Sequence, residues 1–185
     1  MSIFLTAFTS LLFLVTPADE TSSVYARIQT SMGDIDVELY ADQTPVTVEN
    51  FLGYAASGHY DRLVFHRVVP GTLIQGGGYN KYLRRRATND PIVSESSYDL
   101  KNLRGTLAMA RFDDPDSATS QFFINLQDNP SLDRKGDEYK KDAGYTVFGK
   151  VVSGMSVADA IGMTETGPAQ GDIYFEKDVP VEPIL

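Results

Sequence analysis

The sequence predicts a mainly β domain in which short strands form a closed barrel covered by helices. Three observations lead to this prediction: several short stretches with the period-two alternation of strands, turn residues between them, and two segments with apolar residues at helical spacing. The chain has 185 residues, which suits one domain with a sizeable core. It contains neither an internal repeat nor a linker that would divide it.

The composition is that of a folded protein and excludes several classes of function. Hydrophobic residues make up 42% of the sequence and aromatic residues 11%, as in globular proteins. The formal net charge of −9 argues against nucleic-acid binding, because such binding depends on cationic contacts with phosphates. The absence of cysteine excludes disulfides, a thiol nucleophile and a zinc–thiolate site.

The N-terminus has the pattern of a secretory signal peptide over residues 1–18. Residues 3–15 are almost wholly apolar, a run shorter than the roughly 18 residues of a membrane span, and Ala18 offers a small residue before a cleavage point. This pattern predicts no stable membrane insertion, cleavage near Ala18, and a mature protein in the periplasm or secreted. No Lys or Arg precedes the apolar run, so a strand or buried helix of the mature fold is the alternative.

The mature domain, residues 24–185, begins with a predicted β-hairpin. Apolar and polar residues alternate over residues 24–29 and again over residues 35–39, and residues 31–33 between them suit a turn. This alternation is typical of strands with one buried face and one face in contact with water.

A helix is predicted after the hairpin. Thr44 is a residue type that caps helices, and Pro45 suits the first helical position. Gly58 is expected to end the helix. The apolar face at helical spacing consists of Val48, Phe51, Leu52 and Ala55.

Residues 65–78 place a single guanidinium, that of Arg67, within an otherwise apolar strand pattern. Gln75 adds a neutral amide, and three glycines follow it. A buried charge is costly unless it is paired or used, so Arg67 either points to solvent or a salt bridge at the barrel rim, or serves a cleft. The pattern alone favours neither. The positions spaced as inward-facing residues are Leu63, Phe65 and, after a turn at Pro70 and Gly71, Leu73.

The rest of the chain alternates loops with short strands and ends in a second helix. Gly162 closes that helix. Loops are expected over residues 79–103, 111–120 and 134–142, a short apolar run over 106–110, strands over 121–126 and 145–152, and a helix marked by Met155, Ala158 and Ile161.

No other motif in the sequence specifies a chemistry. A metal site or a hydrolytic triad would need His59 or His66, and His66 points to the opposite face from its neighbour Arg67 on a strand. The acidic residues 113–116 lack the glycine and glutamate of a calcium loop. If the protein is an enzyme, it is therefore expected to work without a metal, a cofactor or a covalent intermediate.

Three segments together carry a resemblance to a known family. They are residues 65–77, with F-H-R-V-V-P-G followed by Q-G-G; residues 104–110, with R-G-T-L-A-M-A; and residues 120–124 with 145–149, with S-Q-F-F-I and Y-T-V-F-G. In this order they resemble the cyclophilins, a family of peptidyl-prolyl cis-trans isomerases. The secreted branch of bacteria is the more similar one. The resemblance runs from about residue 26 to about residue 183.

The resemblance implies a closed eight-stranded antiparallel barrel, capped by two helices, with the substrate groove on its outer face. It implies that Arg67 is the catalytic arginine and that Gln75 and Gln121 hydrogen-bond the peptide backbone. Ala110 and Arg111 would lie where the residue before proline docks. The implied apolar pocket for the proline ring consists of Phe65, Leu73, Met109, Phe123 and Leu132, with Tyr145 packing on the ring where many relatives have histidine.

The implied activity is acceleration of rotation about X-Pro bonds in folding extracytoplasmic proteins. Its partners would be proline-containing peptides and unfolded or folding proteins, and not nucleic acid. The resemblance implies no cofactor, and we expect a monomer. The alternative function is a proline-peptide binding module or chaperone with weak turnover.

Two departures from the family pattern support that alternative. Ser131 occupies a position where relatives carry a large aromatic residue, and Thr72 stands where they place a pocket phenylalanine. Loss of that ring is expected to cost roughly 1–3 kcal/mol of apolar contact, unless Phe112 fills the gap. A third departure is at the C-terminus, where residues 184–185 end the sequence early. Either the barrel closes with a shortened last strand, or the chain is truncated.

Overall fold

The computed structural model describes residues 23–136, 140–172 and 174–185. The signal peptide predicted for residues 1–18 lies outside this part of the chain. Within it, every helix is too short or too polar to cross a membrane.

Nine strands, two α-helices and three short 3-10 helices follow one another in the described chain. The α-helices are α1 (Pro45–Ala56) and α2 (Met155–Gly162), and the 3-10 helices are Pro115–Ser117, Pro130–Leu132 and Lys140–Ala143. The strands are β1 (Val24–Thr30), β2 (Gly33–Leu39), β3 (Arg67–Val69), β4 (Leu73–Gly76), β5 (Thr106–Met109), β6 (Phe122–Asn125), β7 (Val147–Ser153), β8 (Thr166–Gln170) and β9 (Tyr174–Pro180).

Seven of these strands form one antiparallel sheet in the order β1-β2-β7-β5-β6-β4-β3. The sheet curls into an open half-barrel, and β8 and β9 form a separate two-stranded ribbon. The prediction of a mainly β fold with two helices is confirmed. The prediction of a closed eight-stranded barrel is wrong.

The barrel stays open because no described strand joins its two edges, β1 and β3. Among the described residues, Ile184 and Leu185 bridge them: the Phe65 amide donates to the Ile184 carbonyl at 3.0 Å, and the Ser31 amide donates to the Leu185 carbonyl at 2.9 Å. The groove left between the edges has a volume of about 710 Å³. Its apolar lining includes Ala26, Ile28, Phe51, Phe65, Phe122 and Leu185.

The central strands of the sheet are apolar on both faces, because one face lines the core and the other carries a second apolar cluster. On the inner face, neighbouring strands align Val68, Ile74, Ile124 and Leu107, and each of these side chains is 0% exposed. The second cluster lies on the outer face, and its buried members are Leu73, Ala108, Phe123 and Val147.

Both helices pack against the core. In α1 the predicted Val48 and Phe51 are buried, whereas Ala55 is exposed and Tyr54 is buried in its place. The ring of Phe51 in α1 lies 5.4 Å from the Phe122 ring and 5.3 Å from the Phe148 ring, measured between centroids. Ala158 and Ile161 of α2 are fully buried in the same cluster.

The N-terminus of α1 is capped by a residue far away in the sequence. Thr44 has the predicted position, but its hydroxyl donates to the Tyr40 carbonyl and does not cap the helix. Instead the Glu95 carboxylate accepts hydrogen bonds from the amides of Val46 (3.1 Å) and Thr47 (2.8 Å). A carboxylate at this end also interacts favourably with the helix dipole. The loop predicted over residues 79–103 is thereby fastened to the helix.

Two glycine-to-alanine substitutions test this fold in opposite directions. Gly154, which precedes α2, has φ +82°, and a Cβ there would collide with the Asp34 carbonyl oxygen. Gly53 lies within α1, and a Cβ there would meet nothing within 4 Å. We expect Gly154→Ala to lower the free energy of unfolding by about 1–3 kcal/mol and Gly53→Ala to raise it by about 0.5–1 kcal/mol. Urea unfolding measures both, and a destabilised Gly53→Ala would contradict the packing described for α1.

Candidate active site

Strand register brings the polar and apolar parts of the site together. Arg67 of β3 lies opposite Gln75 of β4, Gln75 lies opposite Phe123 of β6, and Phe123 lies opposite Ala108 of β5. Residues directly opposite each other point to the same face of a sheet. The guanidinium of Arg67 therefore lies on the outer face, beside the apolar cluster.

A tight turn between β3 and β4 fixes this register. Pro70 and Gly71 occupy its two central positions, and Gly71 has φ +67°. The Thr72 amide donates to the Val69 carbonyl at 2.9 Å, which closes the turn. Proline followed by a residue with positive φ is the pattern of a type II turn. The sequence thus sets which residues of β3 and β4 face each other.

Arg67, Gln75 and Gln121 form a chain of side-chain hydrogen bonds. Nη1 of Arg67 donates to Oε1 of Gln75 at 3.3 Å, and Nε2 of Gln75 donates to Oε1 of Gln121 at 2.9 Å. Among the described residues, Arg67 takes part in no salt bridge. The side chain is exposed, so its remaining donors face the open side of the sheet.

The glycines after Gln75 let the chain pass close to Gln121. A Cβ on Gly78 would lie 2.7 Å from the Gln121 side chain, and one on Gly77 would lie 2.6 Å from the Ser120 carbonyl oxygen. Gly77 also has φ +85°. Larger residues would displace the Gln121 amide from Gln75.

A cavity of about 390 Å³ opens beside Arg67 on the outer face. It brings together most of the residues that the sequence assigns to substrate binding, and Gln121 adjoins it through Gln75. Its lining consists of Arg67, Val69, Thr72, Leu73, Gln75, Ala110, Arg111, Phe123, Asn129, Ser131, Leu132 and Tyr145.

Phe65 and Met109 do not belong to this pocket, which corrects their predicted role. Both are buried in the inner core, 5% and 2% exposed. Met109 lies two residues after the inward-facing Leu107 and so shares its face. Phe65 precedes β3, and the period-two alternation that would place it beside Arg67 does not extend there. Its ring lines the open groove between the sheet edges.

Val69 and Asn129 line the pocket without having been predicted. Val69 lies two residues after Arg67, so strand alternation from Arg67 is the signal that identifies it. Asn129 lies in a loop, and its Nδ2 donates to the Thr72 carbonyl at 3.1 Å and to Oδ1 of Asn125 at 2.7 Å. No periodic pattern marks such a residue.

The lining of the pocket has an apolar part and a polar part. The rings of Phe123 and Tyr145 meet edge to face, with centroids 5.5 Å apart. The polar part consists of Thr72, Asn129 and Ser131. Phe112 does not fill the gap beside them, because its ring is 63% exposed and lies over the Arg85 guanidinium.

His66 lies behind the amide pair, on the inner side of the sheet. Burial lowers the pKa of its imidazole to about 4, although hydrogen bonds with the Val64 backbone and the Gln121 side chain act in the opposite direction. The side chain is 2% exposed. It is therefore neutral at pH 7 and supports the site from inside. The described residues contain no cluster of His, Cys, Asp and Glu suited to a metal ion.

Comparison with known proteins points to one family. Residues 25–184 match a family model described as cyclophilin type peptidyl-prolyl cis-trans isomerase/CLD. The chain is 46% identical over 168 residues to peptidyl-prolyl cis-trans isomerase A of Dickeya dadantii, covering 89% of this chain and 83% of that protein. It is 46% identical over 156 residues to peptidyl-prolyl cis-trans isomerase B of Escherichia coli, covering 84% and 92%.

Solved structures show the same similarity. The crystal structure of a Cryptosporidium parvum cyclophilin type peptidyl-prolyl cis-trans isomerase superposes with a TM-score of 0.70 at 28% identity, over 88% of this chain and 93% of that one. A second structure of that protein, determined in the presence of the dipeptide Ala-Pro, gives a TM-score of 0.67 at 29% identity, over 85% and 92%.

The buried His66 predicts a pH dependence of stability. Its folded pKa of about 4 lies below the ordinary value of 6.5, so the unfolded chain binds the proton first as the pH falls. We expect its contribution to be fully present above pH 6.5 and lost as the pH falls from about 6.5 to about 4, by on the order of 3 kcal/mol. Unfolding in urea across this range, for the wild type and His66→Gln, measures it. Equal pH slopes in the two proteins would contradict the buried neutral state.

Proposed function

The chain belongs to the cyclophilin-type family and is a peptidyl-prolyl cis-trans isomerase, and we propose that X-Pro bonds rotate in the outer pocket beside Arg67. One observation carries this proposal: an arginine without a salt bridge among the described residues stands at the edge of a 390 Å³ pocket with an aromatic wall. Isomerisation of this kind needs no cofactor.

The chemistry requires a group that stabilises the twisted amide more than the planar one. Rotation of the amide bond has a barrier of roughly 18–20 kcal/mol, because the planar bond has partial double-bond character. As the bond twists, the proline nitrogen becomes pyramidal and gains a lone pair. A guanidinium N–H of Arg67 donates to that lone pair, an interaction that strengthens only in the twisted state.

The geometry holds Arg67 ready for this task. Its hydrogen bond to Gln75 and its place in β3 restrict the side chain before any substrate arrives. A donor oriented in advance needs little reorganisation during the reaction. Lysine lacks the planar fork and would not reproduce this arrangement.

The remaining pocket residues hold the peptide while the bond turns. We assign the proline ring to the apolar wall of Leu73, Phe123, Leu132 and Tyr145. Gln75 and Gln121 each carry an amide that both donates and accepts, which suits the peptide backbone on either side of the bond. Ala110 also lines the pocket, and we assign it to the place where the residue before proline docks.

The substrates we propose are proline-containing segments of unfolded or folding proteins. The outer pocket is open to the surroundings, so a chain can lie across it without entering the core. The solved relative studied in the presence of Ala-Pro supports a peptide of this kind. We propose that the protein acts as a monomer. We also propose that it acts outside the cytoplasm, in line with the leader pattern of residues 1–18.

A second candidate function, peptide binding with weak turnover, has support in two polar residues of the pocket. Thr72 and Ser131 provide little apolar surface to its lining. Less apolar contact with the proline ring would lower kcat/KM, while the amides of Gln75 and Gln121 could still bind the peptide backbone.

Replacement of Arg67 tests the assigned chemistry. We expect Arg67→Ala to lower kcat/KM by at least about 100-fold, the usual loss on removing a preorganised donor, with the fold unchanged. Arg67→Lys is expected to recover little of it. An isomerisation assay on an Ala-Pro tetrapeptide measures the effect, and Arg27→Ala on β1, away from the pocket, is the matched control.

Near wild-type activity in folded Arg67→Ala would overturn the catalytic role of Arg67. If the wild type bound the peptide but gave no rate increase at micromolar protein, peptide binding with weak turnover would replace isomerisation as the function.

Expression in a Gram-negative host tests the location. We expect the mature protein to be recovered from the periplasmic fraction, with its N-terminus close to Asp19, because cleavage is predicted near Ala18. N-terminal sequencing and intact-mass measurement provide the readout. A cytoplasmic protein that retains residues 1–18 would refute the proposed location.

A further inference from the structure

Arg111 differs from Arg67 in that its whole guanidinium group is hydrogen-bonded within the protein. All three of its nitrogens donate to backbone carbonyls. Nε donates to Gly144 at 2.8 Å, Nη1 to Phe112 at 2.8 Å and Asp113 at 3.2 Å, and Nη2 to Lys140 at 3.1 Å.

These carbonyls belong to two loops that are distant in sequence. One loop follows β5 and contains Arg111 itself, and the other contains residues 140–145 and leads into β7. The guanidinium donors point in several fixed directions and reach carbonyls of both loops, whereas an ammonium group is a compact donor without this planar fork. Lys140 adds a surface link, because its Nζ lies 2.9 Å from Oδ2 of Asp114.

The same guanidinium contacts the aromatic wall of the pocket. Its carbon lies 4.9 Å from the centroid of the Tyr145 ring, within the range of a cation–π interaction. The Tyr145 ring in turn meets Phe123 edge to face, and the Tyr145 amide donates to the Leu132 carbonyl at 3.0 Å. Arg111 thus contacts the same ring that packs against Phe123.

We propose that Arg111 is a positioning residue that holds Tyr145 against Phe123 and so shapes the apolar wall of the pocket. This replaces the direct role in docking the residue before proline that the resemblance implies for Arg111. The inference rests on the proposed function, because Tyr145 matters to isomerisation only if the proline ring packs on it.

A positioning role predicts a particular pattern of kinetic change. A loosened wall weakens contact with the ring in both the planar and the twisted state, so KM rises while kcat changes little. We expect Arg111→Ala to lower kcat/KM by about 2- to 30-fold, the range of a cation–π contact, mainly through KM. Arg111→Lys is expected not to rescue it, because the bonds to both loops are lost.

A double-mutant cycle with Tyr145→Ala separates this role from a general loss of stability. If Arg111 acts through Tyr145, Arg111→Ala lowers kcat/KM much less in the Tyr145→Ala background than in the wild type. The control is Arg104→Ala, which removes an arginine bonded to Asp159 and to the Leu126 carbonyl, away from the pocket. We expect this control to leave KM unchanged.

Peptides that differ in the residue before proline distinguish a positioning role of Arg111 from direct contact with the substrate. If Arg111 only positions Tyr145, Arg111→Ala lowers kcat/KM by the same factor for Ala-Pro and Glu-Pro peptides. If its guanidinium touches the substrate, the loss is larger for the acidic peptide. Additive effects with Tyr145→Ala, a larger loss for Glu-Pro, or wild-type KM in folded Arg111→Ala would each overturn the proposal. NMR titration measures peptide affinity independently of turnover. A loss of affinity in Arg111→Ala therefore tests the apolar wall, whereas the activity of Arg67→Ala tests the catalytic role of Arg67.

Discussion

The alternation of side chains across one strand register is the constraint on which both the core and the site depend. The row Val68, Ile74, Ile124 and Leu107 faces inward and is fully buried, and the adjacent row Arg67, Gln75, Phe123 and Ala108 faces outward. A slip of one residue would exchange the two rows and bury a guanidinium, at a high cost in free energy. Packing of the core therefore also fixes the position of the Arg67 side chain.

Much of this arrangement is predictable from the sequence, where the periodicity is local. The first hairpin, both helices and the turn at Pro70 and Gly71 follow from alternation, helical spacing and turn residues. Phe65 was misassigned because it lies just before β3, where alternation with Arg67 no longer applies. The closed barrel was wrong because closure depends on which strands meet at the sheet edges, and no local pattern specifies that.

Two arginines near the pocket show which part of a site cannot be predicted from local sequence. Arg67 bonds only a neutral amide in the described structure, whereas the donors of Arg111 are taken by carbonyls, two of which lie about thirty residues further along the chain. The same applies to Glu95, which caps a helix that begins fifty residues earlier. The residue type tells which donors and acceptors a side chain carries. Only the fold determines whether other residues of the protein already hydrogen-bond to them.

The two hydrogen bonds that join the sheet edges also constrain how the chain folds. They connect Ser31 and Phe65 with Leu185 and Ile184, which lie far away in the sequence. Contacts between residues so distant in sequence incur a large entropy loss and are expected to form late. The strands beside the pocket, β3 to β6, pair with partners that are much nearer in the sequence. The pocket beside Arg67 can thus be assembled while the opposite side of the half-barrel is still open.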